Sequence, residues 1–130
     1  MKFEAILFDC DGVLVDSEPI TNGILRDMLE ARGWPMSSAE CMRFFIGKAV
    51  RDERMAIEAR TGLPLTEDWM AEFYAQRNVA LAARLEIIAG AQAAVQAAHD
   101  HTVQRIACAS GADRFQVCLV YPSDAADEGL

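Results

Sequence analysis

The sequence predicts an α/β fold that is mostly helical, in which a bundle of four helices separates two strands of a parallel sheet. Three observations favour this fold. Short apolar runs at residues 5–8 and 105–111 have the length and bulky side chains of buried strands. Between them, residues 17–84 carry apolar stripes at helical spacing. An alanine-rich helix at 91–99 precedes the second strand and is suited to close packing on a sheet.

The first apolar run ends in a pair of carboxylates. Asp9 and Asp11 follow residues 5–8, and Gly12 comes next. Residues i and i+2 of an extended segment point to the same side, so both carboxylates can face one volume beyond the strand, where ligands bind in open parallel sheets. The residues alone leave three interpretations: a site for a hard cation such as Mg²⁺, a nucleophile beside a proton-transfer group, or a solvated turn without chemistry.

Helix boundaries are indicated by capping residues and by glycines. Ser17 is an expected N-cap, as are Ser37 or Ser38 and then Thr66. In the third helix, Met55 and Ile57 are expected to point inward. The four predicted helices cover residues 17–33, 37–47, 50–60 and 66–84.

Composition excludes several classes of function. The chain has 130 residues, 52% of them apolar, and a net charge of −8. This charge opposes binding to nucleic acid or to an anionic membrane surface, and no apolar stretch approaches the roughly 20 residues of a membrane span. Four scattered cysteines without a C-x-x-C pair are typical of reduced thiols. With an N-terminus unlike a signal peptide, these features predict a cytoplasmic protein.

Residues 3–18 resemble the first motif of the haloacid dehalogenase (HAD) superfamily, in the branch of phosphatases and phosphomutases typified by phosphoglycolate phosphatase and β-phosphoglucomutase. The resemblance implies a partial Rossmann-like core, residues 1–16 and 86–130, with a helical cap inserted at 17–85. It implies that Asp9 attacks phosphorus and contacts Mg²⁺. Asp11 would be the general acid and base, with its backbone carbonyl also on the metal. Glu18 would lie where the chain enters the cap and the substrate binds.

Two later segments also resemble parts of this family. Ser110 and Gly111 follow the second strand, as does the motif that binds the transferred phosphoryl group. Lys48 and Arg51 lie in a segment that resembles the cap loop facing the active site, where they would meet a phosphate or sugar phosphate. A Ser-Gly turn alone is weak evidence of a site, and the alternative for Lys48 and Arg51 is a solvated helix start.

The resemblance stops near residue 115. The family requires a later lysine or arginine and a strand ending in acidic residues, yet no lysine follows Lys48. Asp124, after the strand-like residues 117–121, would be a stand-in metal ligand if an internal segment had been lost. The plainer reading of this region is a helix running into an acidic tail, or a sequence altered by truncation or frameshift.

Two functional hypotheses follow. The first is a Mg²⁺-dependent hydrolase or mutase that acts on a small phosphorylated metabolite through an aspartyl-phosphate on Asp9. The second is a catalytically impaired or truncated relative that binds a phosphate ester or a protein partner, or that serves in an assembly. Two strands leave a sheet with an open edge and an uncovered apolar patch. Three outcomes are therefore expected as alternatives: a homodimer that shares the sheet, a partner chain that completes it, or a marginally stable fragment.

Overall fold

The computed structural model describes residues 4–100 and 105–109. The chain divides into two compact units. One, called the sheet unit here, comprises Met1–Glu18 and Ala82–Leu130. The other, the helical unit, comprises Pro19–Leu81.

In the described part of the sheet unit there are two parallel strands, β1 (Ile6–Phe8) and β2 (Ile106–Cys108). Ile6 is paired with Ile106 and Phe8 with Cys108, so the two carboxyl ends lie side by side. Of the helices, α5 (Ala91–Asp100) lies wholly in this unit. An isolated antiparallel bridge between Val15 and Ile87, in the segment that leads to α5, ties it to the loop after β1.

One face of this small sheet is packed and the other is not. The packed face belongs to a cluster of four buried residues: Cys10, Leu14, Val15 and Ala91. Phe8 and Cys108 pack against that cluster, whereas Leu7 is 69% exposed. The expectation of a fully buried strand is therefore wrong for Leu7. Successive strand residues point to opposite faces, and among the described residues nothing covers the face that carries Leu7.

The helical unit is built from four α-helices and one 3-10 turn. A 3-10 turn at Val50–Glu53 runs directly into α3. The α-helices are α1 (Glu18–Ala31), α2 (Ser38–Phe45), α3 (Arg54–Thr61) and α4 (Glu67–Arg84), the first and last of which extend slightly into the sheet unit.

Capping side chains fix these helices where the sequence predicts them. Ser37 and Glu40 form a reciprocal capping box at the start of α2. Thr66 accepts a hydrogen bond from the backbone N–H of Trp69 at the start of α4. Gly62 ends α3 with a left-handed φ of 68° that a residue with a Cβ adopts only with strain.

The prediction for the third helix is wrong in one respect. Met55 is 86% exposed, whereas Ile57 is fully buried. Two residues subtend about 200° on a helix of 3.6 residues per turn, so only one of these side chains can face the core.

A single apolar cluster holds the helical unit together. Aromatic rings of the helices pack on it, with Trp69 and Phe73 stacked at 6.1 Å between centroids. Its buried members are Leu25, Leu29, Cys41, Phe45, Ile57, Leu65, Met70 and Phe73. In the described part of the chain, no helix combines the length and apolar character needed to cross a membrane.

Candidate active site

The loop after β1 is a tight turn closed by backbone hydrogen bonds. The carbonyl oxygen of Cys10 accepts hydrogen bonds from the backbone N–H groups of Leu14 at 2.9 Å and Val15 at 3.2 Å. Gly12 donates to the carbonyl of Val15 at 2.9 Å and has a φ of 73°, a conformation for which glycine is favoured. The turn therefore holds Asp9 and Asp11 on a fixed backbone at the end of the strand.

The two carboxylates occupy different environments. Asp9 is exposed, and its Oδ1 accepts a 2.7 Å hydrogen bond from the backbone N–H of Cys10. Asp11 is half-buried, and its Oδ1 accepts a 2.6 Å hydrogen bond from the hydroxyl of Ser17. Ser17 itself is 3% exposed. Asp9 is thus open to a ligand, while the side chain of Asp11 is oriented by the protein.

Sequence reasoning assigned Ser17 to helix capping and missed its contact with Asp11. Ser17 does directly precede α1, but its hydroxyl donates to the carboxylate. The sequence signal for this role was a lone hydroxyl residue between Asp16 and Glu18, close to the Asp-x-Asp pair. Glu18 also lies near the turn, because a Cβ at Gly12 would be 3.8 Å from its Oε1.

No cation neutralises this acidic loop within the described residues. Neither Asp9 nor Asp11 has a lysine, arginine or histidine within ion-pair distance in residues 4–100 and 105–109. In the same ranges, no three His, Cys, Asp or Glu side chains are grouped to hold a metal. Mg²⁺, however, is usually bound by one or two carboxylates, with water and substrate phosphate as its other ligands. Two hard oxygen donors therefore fit Mg²⁺.

Two cysteines lie near the carboxylates along the chain and the sheet, since Cys10 stands between Asp9 and Asp11 and Cys108 ends the neighbouring strand. Cys10 is 1% exposed, and Cys108 packs against the same cluster. Burial, and next the neighbouring Cys108, raise the pKa of Cys10 to about 11. Burial also raises the pKa of Cys108. Both thiols are consequently protonated near neutral pH.

The end of β2 is bound directly to the residue before Asp9. Ala109 donates its backbone N–H to the carbonyl oxygen of Phe8 at 2.8 Å. The predicted phosphate ligands, Ser110 and Gly111, lie outside the described residues, as does Asp124.

The two cations predicted to meet the substrate are paired within the helical unit. Lys48 lies 3.4 Å from a carboxylate oxygen of Glu53 and 4.7 Å from the ring centroid of Phe44. Arg51 forms an ion pair with Glu67. Both basic side chains are about half exposed.

Comparison with known proteins identifies the family. The family model of haloacid dehalogenase-like hydrolases matches residues 3–124. No curated protein sequence matches the chain.

Solved structures of similar fold agree. A haloacid dehalogenase-like protein of unknown function from Agrobacterium tumefaciens is 28% identical, with a TM-score of 0.75 over 92% of this chain and 52% of that one. A HAD family hydrolase from Deinococcus radiodurans, solved with phosphate and sodium, is 25% identical. Its TM-score is 0.68, and the match covers 97% of this chain and 56% of that one. A candidate β-phosphoglucomutase from Thermotoga maritima has the same fold at 20% identity. Its TM-score is 0.66, and the match covers 91% of this chain and 54% of that one.

These matches confirm the resemblance and the α/β fold class predicted from the sequence. The chain spans about half the length of these relatives, 52% and 56% of the first two.

Proposed function

Because the chain belongs to the haloacid dehalogenase-like hydrolase family, we propose that it acts on small phosphomonoesters, with Mg²⁺, through an aspartyl-phosphate on Asp9. The observation that carries this proposal is the contrast between the two carboxylates. Asp9 is exposed at the end of β1, while Asp11, two residues later, is held by the buried hydroxyl of Ser17. A nucleophile needs access to substrate, and an acid–base group needs a fixed orientation.

Asp9 is the proposed nucleophile. Its Oδ1 is held by the backbone N–H of Cys10, so the carboxylate keeps one orientation while a free oxygen attacks phosphorus. The bond between phosphorus and the ester oxygen breaks as the acyl-phosphate bond forms. Water then attacks the same phosphorus, releases inorganic phosphate and restores the carboxylate.

Asp11 is the proposed general acid and base. In the first half-reaction it gives a proton to the departing alkoxide oxygen, and in the second it takes a proton from the attacking water. The hydrogen bond from Ser17 restricts rotation of its side chain. We therefore infer that Ser17 acts as a positioning residue for Asp11.

The proposed metal ligands are the carboxylate of Asp9 and the backbone carbonyl of Asp11, with Asp124 as a further candidate outside the described residues. When bound, Mg²⁺ would neutralise charge on the carboxylate and on the phosphoryl oxygens, which is the main requirement of phosphoryl transfer. Five acidic residues and no basic residue occur between positions 4 and 18. An anionic substrate therefore needs a cation at this loop.

The remaining substrate contacts are also proposals. Ser110 and Gly111 would bind the phosphoryl group, consistent with the hydrogen bond that brings Ala109 to Phe8. Glu18, Lys48 and Arg51 would contact the leaving group. Lys48 and Arg51 are themselves about half exposed in their ion pairs, and pairs that are open to solvent contribute only about 0–1 kcal/mol. A phosphate dianion can therefore compete with Glu53 and Glu67. A cytoplasmic location suits such a metabolite.

The second candidate is a phosphate-binding or partner-binding relative without turnover. It is favoured by the missing cation, because no basic side chain pairs with Asp9 or Asp11 in residues 4–100 and 105–109. Losing one electrostatic stabiliser of a transition state typically costs about 10²–10³ in rate. In that case a homodimer or a partner chain would be the functional form.

The test is phosphate release from a panel of small phosphomonoesters, with and without Mg²⁺. We expect release that requires Mg²⁺ and is lost in Asp9→Asn. Asp16→Asn is the matched control, because Asp16 is an exposed carboxylate of the same segment and should leave the rate unchanged. Mg²⁺ binding measured by calorimetry gives a second readout. A folded protein that binds Mg²⁺ but releases no phosphate would favour the non-catalytic relative.

A further inference from the structure

Two thiols, buried Cys10 just beyond β1 and half-buried Cys108 at the end of β2, lie near the carboxyl ends of the strands, and the proposed chemistry uses neither. Phe8 is paired with Cys108 in the register of the sheet. Cys10 follows Phe8 by two residues and is 1% exposed. Cys10 is a buried member of the apolar cluster of the sheet unit, and Cys108 packs against that cluster. Both are free in the structure.

Because Cys10 is part of the loop that carries Asp9 and Asp11, a change at this pair of thiols can move the candidate site. Cys10 lies between Asp9 and Asp11, its N–H holds the carboxylate of Asp9, and its carbonyl oxygen receives the N–H groups of Leu14 and Val15. A displacement of Cys10 therefore moves both proposed reacting groups and the turn that connects them.

We propose that Cys10 and Cys108 form a redox-sensitive dithiol, which a low-molecular-weight disulfide such as oxidised glutathione converts to a cystine bridge that disables the loop of Asp9 and Asp11. The effect on activity rests on the proposed function, whereas formation of the bridge does not. A disulfide bond is about 2.05 Å long, much shorter than the contact between two free thiols. Forming it pulls Cys10 toward β2, and a displacement of about 1 Å at reacting groups can cost about 10²-fold in rate.

The chemistry is a two-step thiol–disulfide exchange. Cys108 is half-buried and thus the more accessible thiol. The fraction of Cys108 that has lost its proton attacks oxidised glutathione and forms a mixed disulfide, and one glutathione leaves as a thiolate that takes up that proton. The sulfur of Cys10 then attacks the sulfur of Cys108 and releases the second glutathione thiol. Two electrons pass from the protein thiols to the glutathione disulfide, and the two thiol protons end on the two glutathione molecules.

The experiment exposes the full, reduced chain to oxidised glutathione, alkylates the remaining thiols under denaturing conditions and maps disulfide-linked peptides by mass spectrometry. We expect a peptide that joins Cys10 to Cys108, with Cys41 alkylated. Cys108→Ala should abolish the link. Cys41→Ala is the matched control, because Cys41 is a fully buried thiol of the helical unit and its removal should leave the link intact.

The proposal is overturned if Cys10 is still alkylated after exposure to excess oxidised glutathione, or if Cys10 is linked to Cys118 instead of Cys108. The wild-type map decides this even if Cys108→Ala does not fold, which circular dichroism will show.

Activity provides the second arm of the test. Phosphate release should fall about 10²-fold on oxidation and return with dithiothreitol, and the loss should be absent in Cys108→Ala. An active protein that keeps its rate while bridged contradicts the regulatory effect. A bridge in a protein that is inactive even when reduced contradicts the proposed function and leaves the dithiol standing.

Discussion

The helical unit and the sheet unit differ in both core and charge. Among the residues that the structure describes, the helical unit buries eight in one cluster, whereas the cluster of the sheet unit has four. The helical unit carries eight of the twelve basic and nine of the twenty acidic residues, so it is nearly neutral. The sheet unit carries the remaining four basic and eleven acidic residues. Among the described residues, packing is thus concentrated in the helical unit, whereas uncompensated acidic groups are concentrated in the sheet unit.

This difference between the units suggests that the helical unit contributes most to stability and that the sheet unit carries the chemistry. Apolar burial is the main favourable term in folding, so substitutions in the helical cluster should change stability most. The loop from Asp9 to Glu18 concentrates negative charge on a small core, an arrangement that is useful for binding a cation and unfavourable for folding without one. The predictions below test this separation, beginning with the largest effect.

The largest effect is expected from Phe73→Ala. Phe73 is 2% exposed in the helical cluster and stacks on Trp69. Removing its ring leaves a cavity, and such substitutions cost about 3–5 kcal/mol of unfolding free energy. Urea unfolding followed by circular dichroism measures this loss. The control is Val79→Ala on the same helix, since Val79 is 73% exposed and should change stability by less than about 0.5 kcal/mol. Equal losses in the two variants would contradict the assigned core.

A smaller, purely kinetic effect is expected from Ser17→Ala. The substitution removes the 2.6 Å hydrogen bond to Asp11 and leaves the acid–base group free to rotate. We expect kcat to fall about 10-fold, a fraction of the roughly 10²–10⁴ that acid–base catalysis contributes, while KM changes little. Ser17→Thr, which keeps the hydroxyl, should restore the rate. A fall in stability with an unchanged kcat would show that Ser17 is only structural.

The smallest effect concerns the pH dependence of stability. The backbone N–H of Leu65, and next the guanidinium of Arg54, hold the pKa of Glu58 below its ordinary value of 4.5. A depressed pKa stabilises the fold while the carboxylate is ionised, and this contribution is lost as the pH falls below 4.5 toward the folded-state pKa. Thermal unfolding between pH 6 and pH 3 should therefore show a shallower decline of Tm in Glu58→Gln. Parallel curves for the variant and the wild type would contradict this role.

Much of the fold could be predicted because local signals and burial agree. The capping box of Ser37 and Glu40 begins α2, and the left-handed Gly62 ends α3, close to where the sequence predicts these boundaries. An uncovered apolar patch is expected of so small a sheet, but its location at Leu7 could not be predicted, because a strand that is apolar on both faces looks the same whether one or both faces are covered. Met55 was misplaced because residues two apart on a helix lie about 200° apart, so Met55 and Ile57 could not both face the core.

The candidate site also has features that the sequence predicts and features that only the structure shows. Asp9 and Asp11 follow from a short local pattern, and their different exposures agree with the roles proposed for them. The contact between Ser17 and Asp11 depends on the closed turn, and the packing of Cys108 against the cluster that contains Cys10 depends on the parallel register of the sheet. Spacing in the sequence carries no direct signal of either. Likewise, the ion pairs of Lys48 and Arg51 required knowledge of which acidic side chains the helices bring close to them.

The most direct test of the account is to trap phosphorylated Asp9. The wild-type chain is mixed with a phosphomonoester and Mg²⁺ in a rapid-quench instrument and stopped with acid, and its peptides are analysed by mass spectrometry. We predict one hydroxylamine-labile phosphoryl group on the peptide that contains Asp9, absent without Mg²⁺ and absent in Asp9→Asn. Phosphate release without this adduct, or an adduct on another residue, would contradict the assignment of Asp9 as the nucleophile.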